Sequence, residues 1–320
     1  MIEAQLRQLV GEALRLNEPL ASHTTFKIGG PAKYFVTLET SEVLQKVIAI
    51  ASAEKTPWII LGEGSNVLVS DQGYDGIIIR LNNTRIEIND LILTADAGAS
   101  LGAVVTAAYE AGLSGLEWAM GIPGTLGAAI RGNAGAYRGE IKDNLIDTTI
   151  VRGNELMTVS NTDCQFRYRE SLFKAEANND IILSGRFQLV PGDQPMMRAK
   201  MDEIYAKRQA KFGSTVSAGS VFKNIEMTEA EIRQFKVEYP ALPDEFVGYR
   251  KVPAAWLIEE CGFKGKTIGG AQVYENHAAI INNTGTATAE DVVMLISVIK
   301  QKVRVTFNVQ LQEEIQYVGF

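Results

Sequence analysis

Short apolar runs punctuated by glycine mark the first half of the chain. Trp58-Ile59-Ile60-Leu61, Val67-Leu68-Val69 and Gly76-Ile77-Ile78-Ile79 predict buried strands. The segments Gly62-Glu63-Gly64-Ser65-Asn66 and Asp71-Gln72-Gly73 between them are turn signals. Ahead of these runs, Leu44, Val47, Ile48 and Ala51 recur at helical spacing and predict a helix over 41–55, with Ser41 as its cap. Helix and strands in this arrangement predict a small α/β lobe.

From Asn83 the pattern becomes alternating. Arg85-Ile86-Glu87-Ile88 and Leu91-Ile92-Leu93-Thr94 predict a hairpin around Asn89-Asp90. Ser100 caps an apolar helix to about 111, and strand-like runs follow at 147–152 and 180–189. Pro191-Gly192-Asp193 marks the expected domain boundary. Beyond it, helices are expected over 196–211 and 254–261. A longer one begins at Thr288, with Asp291 at the capping-box position and Val292, Leu295, Ile299 and Val303 on one face. The run 307–318 reads as a closing strand.

Composition narrows the function classes. In 320 residues, 31 Lys and Arg stand against 38 Asp and Glu, a formal net charge of −7. That is opposite to the basic excess of a nucleic-acid binder or a polybasic membrane anchor. No apolar run approaches the ~20 residues of a membrane span, and no signal-peptide pattern opens the chain, so a cytoplasmic protein is expected. With two cysteines (Cys164, Cys261) and two histidines (His23, His277), the sequence predicts no disulfide framework, no metal site and no Ser-His-Asp triad.

Glycine carries the candidate chemistry. The loop at 62–66 follows a strand, and its backbone is either an anion cradle or a plain strand-connecting turn. It is not a dinucleotide fingerprint, which would need glycine at Val67, and 260–267 is not a phosphate loop, which would need glycine at Glu260. A second cluster places six glycines in the 19 residues from Gly121 to Gly139. Two glycine loops in one domain suit a long ligand pinned at two points, such as a dinucleotide.

In order, these segments resemble the UDP-N-acetylenolpyruvoylglucosamine reductase (MurB) family, in its shorter, type II form. The resemblance is carried by His23-Thr24-Thr25-Phe26-Lys27-Ile28-Gly29-Gly30, Leu61-Gly62-Glu63-Gly64-Ser65-Asn66-Val67-Leu68, Gly121-Ile122-Pro123-Gly124-Thr125, Tyr168-Arg169-Glu170-Ser171, Gly219-Ser220-Val221-Phe222-Lys223-Asn224, Leu257 to Gly265, Ile268 to Val273 and Glu313-Glu314-Ile315. It spans about residues 18–319. Only 51 positions separate Arg169 from Ser220, too few for the substrate-covering tyrosine loop of the longer subtype.

The resemblance implies an α+β fold: a two-lobed FAD-binding domain of the vanillyl-alcohol-oxidase (PCMH) type plus a separate α/β substrate-binding domain. The expected limits are 1–192 for the first (lobes about 1–83 and 84–192, with strand 307–320 returning to it) and 193–306 for the second. It further implies NADPH-dependent reduction of an enolpyruvyl UDP-sugar through non-covalent FAD, in peptidoglycan precursor synthesis, by a monomer. Arg169 would hold the substrate carboxylate. Ser220 would protonate C2, and Glu314 would stabilise the enolate as the protonated acid. The cofactor would meet Gly62, Glu63, Gly64, Ser65, Asn66, Val67, Gly121, Ile122, Pro123, Gly124, Thr125, Gly127, Asn133, Gly135 and Ala136. Substrate contacts would come from Lys223, Asn224 and Lys211, the last equally readable as a solvated helix end.

The sequence departs from the family pattern at Arg131, Ile225 and Tyr274, none of them catalytic. Two other readings stay open, a flavin oxidase of the same fold and a non-catalytic sugar-nucleotide-binding relative. The presence of Arg169, Ser220 and Glu314 together speaks against both.

Overall fold

The computed structural model describes residues 1–175 and 179–320. Its contacts divide the chain into two compact units. One comprises Met1–Pro19, Pro31–Gly64 and Tyr74–Ala210; the other comprises Leu20–Gly30, Ser65–Gly73 and Lys211–Phe320.

Among the described residues the first unit holds two larger sheets and two two-stranded ones. In the four-stranded one the order is Leu14–Pro19, Pro31–Leu38, Tyr74–Leu81, Trp58–Ile60. The first pair is antiparallel and the rest parallel. Ile77, Ile78 and Ile79 are all fully buried. A parallel strand covered on both faces reads as an unbroken apolar run, which is why the sequence announces it without alternation. The helix Ser41–Ala53 packs Leu44, Val47 and Ala51 against this sheet. Its cap is Thr40, whose hydroxyl accepts from the Val43 amide, and not the expected Ser41.

The second sheet is antiparallel throughout, in the order Glu155–Ser160, Leu145–Arg152, Ile181–Gln188, Ile92–Asp96, Ile86–Asn89. The expected hairpin is present, with Asp90 at φ 55° in its turn. Helix Leu101–Glu110, capped by Ser100, covers the sheet together with Leu126–Arg131. The latter helix lies inside the glycine cluster. Position 127 is glycine there because a Cβ would come 2.8 Å from that of Ala97, so close packing leaves no room for a side chain.

The second unit is built around the helix Ala289–Phe307, which buries Ala289, Val292, Leu295, Ile296, Ile299, Val303 and Phe307. Thr288 and Asp291 form the expected capping box. The Asp71 carboxylate adds to it by accepting from the amides of Ala289 (2.9 Å) and Glu290 (3.2 Å), as suits the positive end of a helix. A three-stranded antiparallel sheet (Thr267–Ile268, Ala271–Val273, Ile281–Asn283) and helices Glu229–Glu238 and Ala254–Glu260 complete the core.

Two features depart from expectation. The closing strand is short. The long helix runs on to Phe307, Asn308 ends it at φ 54°, and only Gln316–Val318 is strand. That strand pairs in parallel with Val67–Val69, so Val67-Leu68-Val69 joins neither sheet of the first unit. The division by contacts also falls elsewhere than 192/193. Helix Gln194–Phe212 groups with the first unit through Ala210, because Met201 joins that unit's core and Lys200 pairs with Glu117. Segments 20–30, 65–73 and 307–320 group with the second. Among the described residues no helix is long and apolar enough to cross a membrane.

Candidate active site and cofactor loops

In the first unit the two glycine loops lie against each other. The Glu63 carboxylate accepts from the Gly124 amide at 2.8 Å, tying one loop to the other. A Cβ on Gly62 would stand 2.8 Å from Thr125 Oγ1. Gly64, Gly121 and Gly124 take φ of 65°, 74° and 130°, values that side chains resist. Thr125 ends the second loop by capping the helix Leu126–Arg131, its hydroxyl accepting from the Ala128 amide. Arg208, from helix Gln194–Phe212, donates to the Gly121 carbonyl at 3.0 Å and braces the loop from outside. At Gly62, Gly64, Gly121 and Gly124 these loops carry no side chain, so backbone amides there can come close to a pyrophosphate-bearing cofactor. The residues of the first unit thus fit FAD.

The chain leaves the first unit between Gly64 and Ser65. Ser65, Asn66 and Val67, expected at the cofactor, belong to the second unit. There Asn66 donates through its side chain to the Glu314 carbonyl at 3.1 Å, and its own carbonyl accepts from the Gln316 amide at 2.9 Å.

Arg169 also lies in the first unit. The turn that carries it is closed by Arg167 and Glu170, each amide donating to the other's carbonyl at 3.0 and 3.1 Å. The arginine takes φ 56°. Its Nη2 donates to the Gly135 carbonyl at 2.5 Å, its guanidinium stacks 5.0 Å from the Tyr168 ring centre, and its carbonyl accepts from Lys174 Nζ at 2.7 Å. Gly135 and Ala136 form one arm of a hairpin with Gly139 and Glu140. Gly139 has no room for a side chain, since a Cβ would be 2.3 Å from the Trp118 ring. Arg131 is exposed, and the Ser171 hydroxyl donates to its carbonyl at 2.6 Å.

Ser220 and Glu314 both lie in the second unit and are brought together by backbone. The Glu314 amide donates to the Val221 carbonyl at 2.7 Å, the Lys223 amide to the Gln312 carbonyl at 2.9 Å, and Phe222 bridges Glu313. On the other side Ser220 bridges Ile280, and the Val221 amide donates to the Ala279 carbonyl at 2.8 Å. The serine segment is therefore held between two stretches distant in sequence. Gly219, at φ 75° with open space where a Cβ would be, turns the chain just before the serine. Asn224 accepts from the Ala254 amide at 3.2 Å, capping the helix that begins there. Lys211 stands in the second unit with its Nζ 5.3 Å from the Phe212 ring centre, and Phe212 lies 6.5 Å from the His277 ring. Burial, reinforced by the charges of Lys211 and Lys264, pulls the His277 imidazole down to about 3. It is neutral at physiological pH, a property the sequence pattern did not signal.

Residues 210–318 match the family described as the C-terminal domain of UDP-N-acetylenolpyruvoylglucosamine reductase, and 32–159 match an FAD binding domain. UDP-N-acetylenolpyruvoylglucosamine reductases of Agathobacter rectalis and Clostridioides difficile are each 37% identical to it. The first match covers 99% of this chain and 98% of the relative, the second 98% and 96%. This chain belongs to the UDP-N-acetylenolpyruvoylglucosamine reductase family. The crystal structure of the MurB enzyme of Thermus caldophilus superposes with a TM-score of 0.74 at 30% identity, covering 95% of this chain and 98% of that one. The expected fold class, an FAD-binding domain of the PCMH type joined to a MurB C-terminal domain, holds, and this MurB family member is an oxidoreductase of the FAD-binding kind.

Proposed function

We propose that this protein reduces the enolpyruvyl ether of UDP-N-acetylglucosamine to UDP-N-acetylmuramate, with NADPH as electron donor, in peptidoglycan precursor synthesis. The observation that carries the reading is the backbone lattice joining the Ser220 segment to Glu314, within a chain similar over its whole length to enzymes of that name. FAD, which Gly62–Gly64 and Gly121–Thr125 would hold, would supply the hydride chemistry that links NADPH to the C3 methylene of the substrate.

The chain's own residues handle the charge that follows. Arg169 holds the substrate carboxylate with its planar fork, a fixed positive group suited to a developing enolate. Glu314 helps to stabilise that enolate. Ser220 gives its hydroxyl proton to C2, completing the saturated lactyl ether. Lys223 and Asn224, three and four positions after the serine, assist it and hold the sugar nucleotide, and Lys211 binds the diphosphate. Gly62–Gly64 and Gly121–Thr125 hold the cofactor by backbone. Residues 32–159 supply the FAD domain and 210–318 the substrate domain. The protein is a cytoplasmic monomer of the shorter subtype.

Separated half-reactions test this. Anaerobic NADPH should bleach the yellow protein, and the enolpyruvyl sugar nucleotide should restore the colour without oxygen. Recovery only on admitting air would replace the reading with an oxidase. Protein that stays colourless after incubation with FAD would leave a binding protein.

A further inference from the structure

Asn133 is fully buried, and its side-chain amide is spent inside the protein. Its Nδ2 donates both to Glu140 Oε2 and to the Arg167 carbonyl, each at 3.0 Å, while its Oδ1 accepts from the Lys142 amide at 3.1 Å. A buried amide so committed fastens two pieces of chain together. One piece is the hairpin that carries Gly135 and Glu140. The other is the turn 167–170 that carries Arg169.

We propose that Asn133 and Glu140 are positioning residues that aim the Arg169 guanidinium at the substrate carboxylate. The inference rests on the role given to Arg169 above. Three further observations support it. Gly135 pairs in register with Glu140, and its carbonyl is the one that receives Arg169 Nη2. A Cβ on Gly135 would meet Glu140 Cγ at 2.7 Å and Arg169 Nη1 at 3.2 Å, so the glutamate and the guanidinium close over the same bare residue. Arg169 occupies the left-handed backbone region, a conformation that persists only where the surroundings over-determine it. Glu140 supplies the charge in that frame. Burial works to protonate it, but hydrogen bonds from Lys142 and Asn133 and the charges of Lys142 and Arg169 outweigh burial and keep it ionised.

The test uses FAD-loaded protein and Glu140→Gln, which keeps shape and hydrogen-bonding oxygen while removing charge. Asn133→Ala serves as the second variant where it folds. Glu140→Gln should slow the substrate half-reaction by up to about 10²-fold, the penalty for a misaimed group. It should also weaken calorimetric binding of the enolpyruvyl sugar nucleotide to the oxidised enzyme, while leaving flavin reduction by NADPH within about twofold of wild type. The same change made in Arg169→Ala should add nothing, because its route is gone. An equal added loss in both backgrounds, equal slowing of both half-reactions, or unchanged binding and rate in Glu140→Gln would each overturn the proposal. If Arg169→Ala alone leaves the substrate half-reaction intact, the carboxylate role itself falls, and this inference with it.

Discussion

The amide of Glu314 donates to the carbonyl of Val221 at 2.7 Å. A residue six positions from the chain end is thereby fixed beside the neighbour of Ser220, 93 positions upstream of Val221's partner. The pairing is backbone to backbone, so it survives replacement of either side chain, and variants at Ser220 or Glu314 report chemistry rather than collapse.

Ser220→Ala should therefore keep flavin reduction by NADPH and lose the second half-reaction by about 10²–10⁴-fold, the usual worth of a positioned proton donor. Stopped-flow absorbance of the flavin under anaerobic conditions separates the halves. Equal damage to both would remove the proton-donor role.

Arg169→Lys keeps the charge but gives up the planar fork. A loss of roughly 3 kcal/mol of transition-state stabilisation, about 10²-fold in the substrate half-reaction, is expected. Retained wild-type rate would show that the carboxylate is held elsewhere.

Gly62→Ala pushes a methyl to within 2.8 Å of Thr125 Oγ1, the atom that caps the following helix. The glycine loops should separate and bound flavin per chain should fall, measured by absorbance after denaturation. Full flavin content with an unchanged melting temperature would mean that the loops yield without consequence.

Glu117 is 3% exposed and accepts from Ser114 Oγ at 2.5 Å, from the Gly115 amide and from Lys200 Nζ at 3.4 Å. Burial opposes its charge, yet these bonds win and hold its pKa below the ordinary value. Glu117→Ala strands the donors and should destabilise the fold by about 1–3 kcal/mol. A denaturant midpoint equal to wild type would contradict this.

His277 gives a pH dependence. Its folded value is about 3 against 6.5 for the free side chain, so between those values the unfolded chain binds the extra proton. The stability it contributes is present above pH 6.5 and is lost progressively as pH falls toward 3. His277→Gln should flatten the decline in melting temperature between pH 7 and pH 4. An identical decline in both proteins would show that other groups set it.

Much of the fold was legible locally. The helix Ala289–Phe307 announced its cap and its buried face, and Ile77-Ile78-Ile79 announced a strand covered on both sides. Glu155–Ser160 was missed because only Val159 in it is buried, so no apolar rhythm marks it. Leu126–Arg131 was hidden by its glycine, which packing against Ala97 requires.

What the residue order determined by itself was local: which stretches bury apolar side chains, where glycine frees the backbone, and which groups are able to stabilise charge or give a proton. Tertiary structure decided what no window of sequence contains. Val67–Val69 finds its partner in Gln316–Val318, some 250 positions away; Asn133 turns inward to join two loops; Glu63 ties one glycine loop to the other. A three-residue strand or a single amide has no periodicity to betray its partner. Water satisfies its polar groups in the unfolded chain, and only when folding excludes that water must they pair with groups distant in sequence.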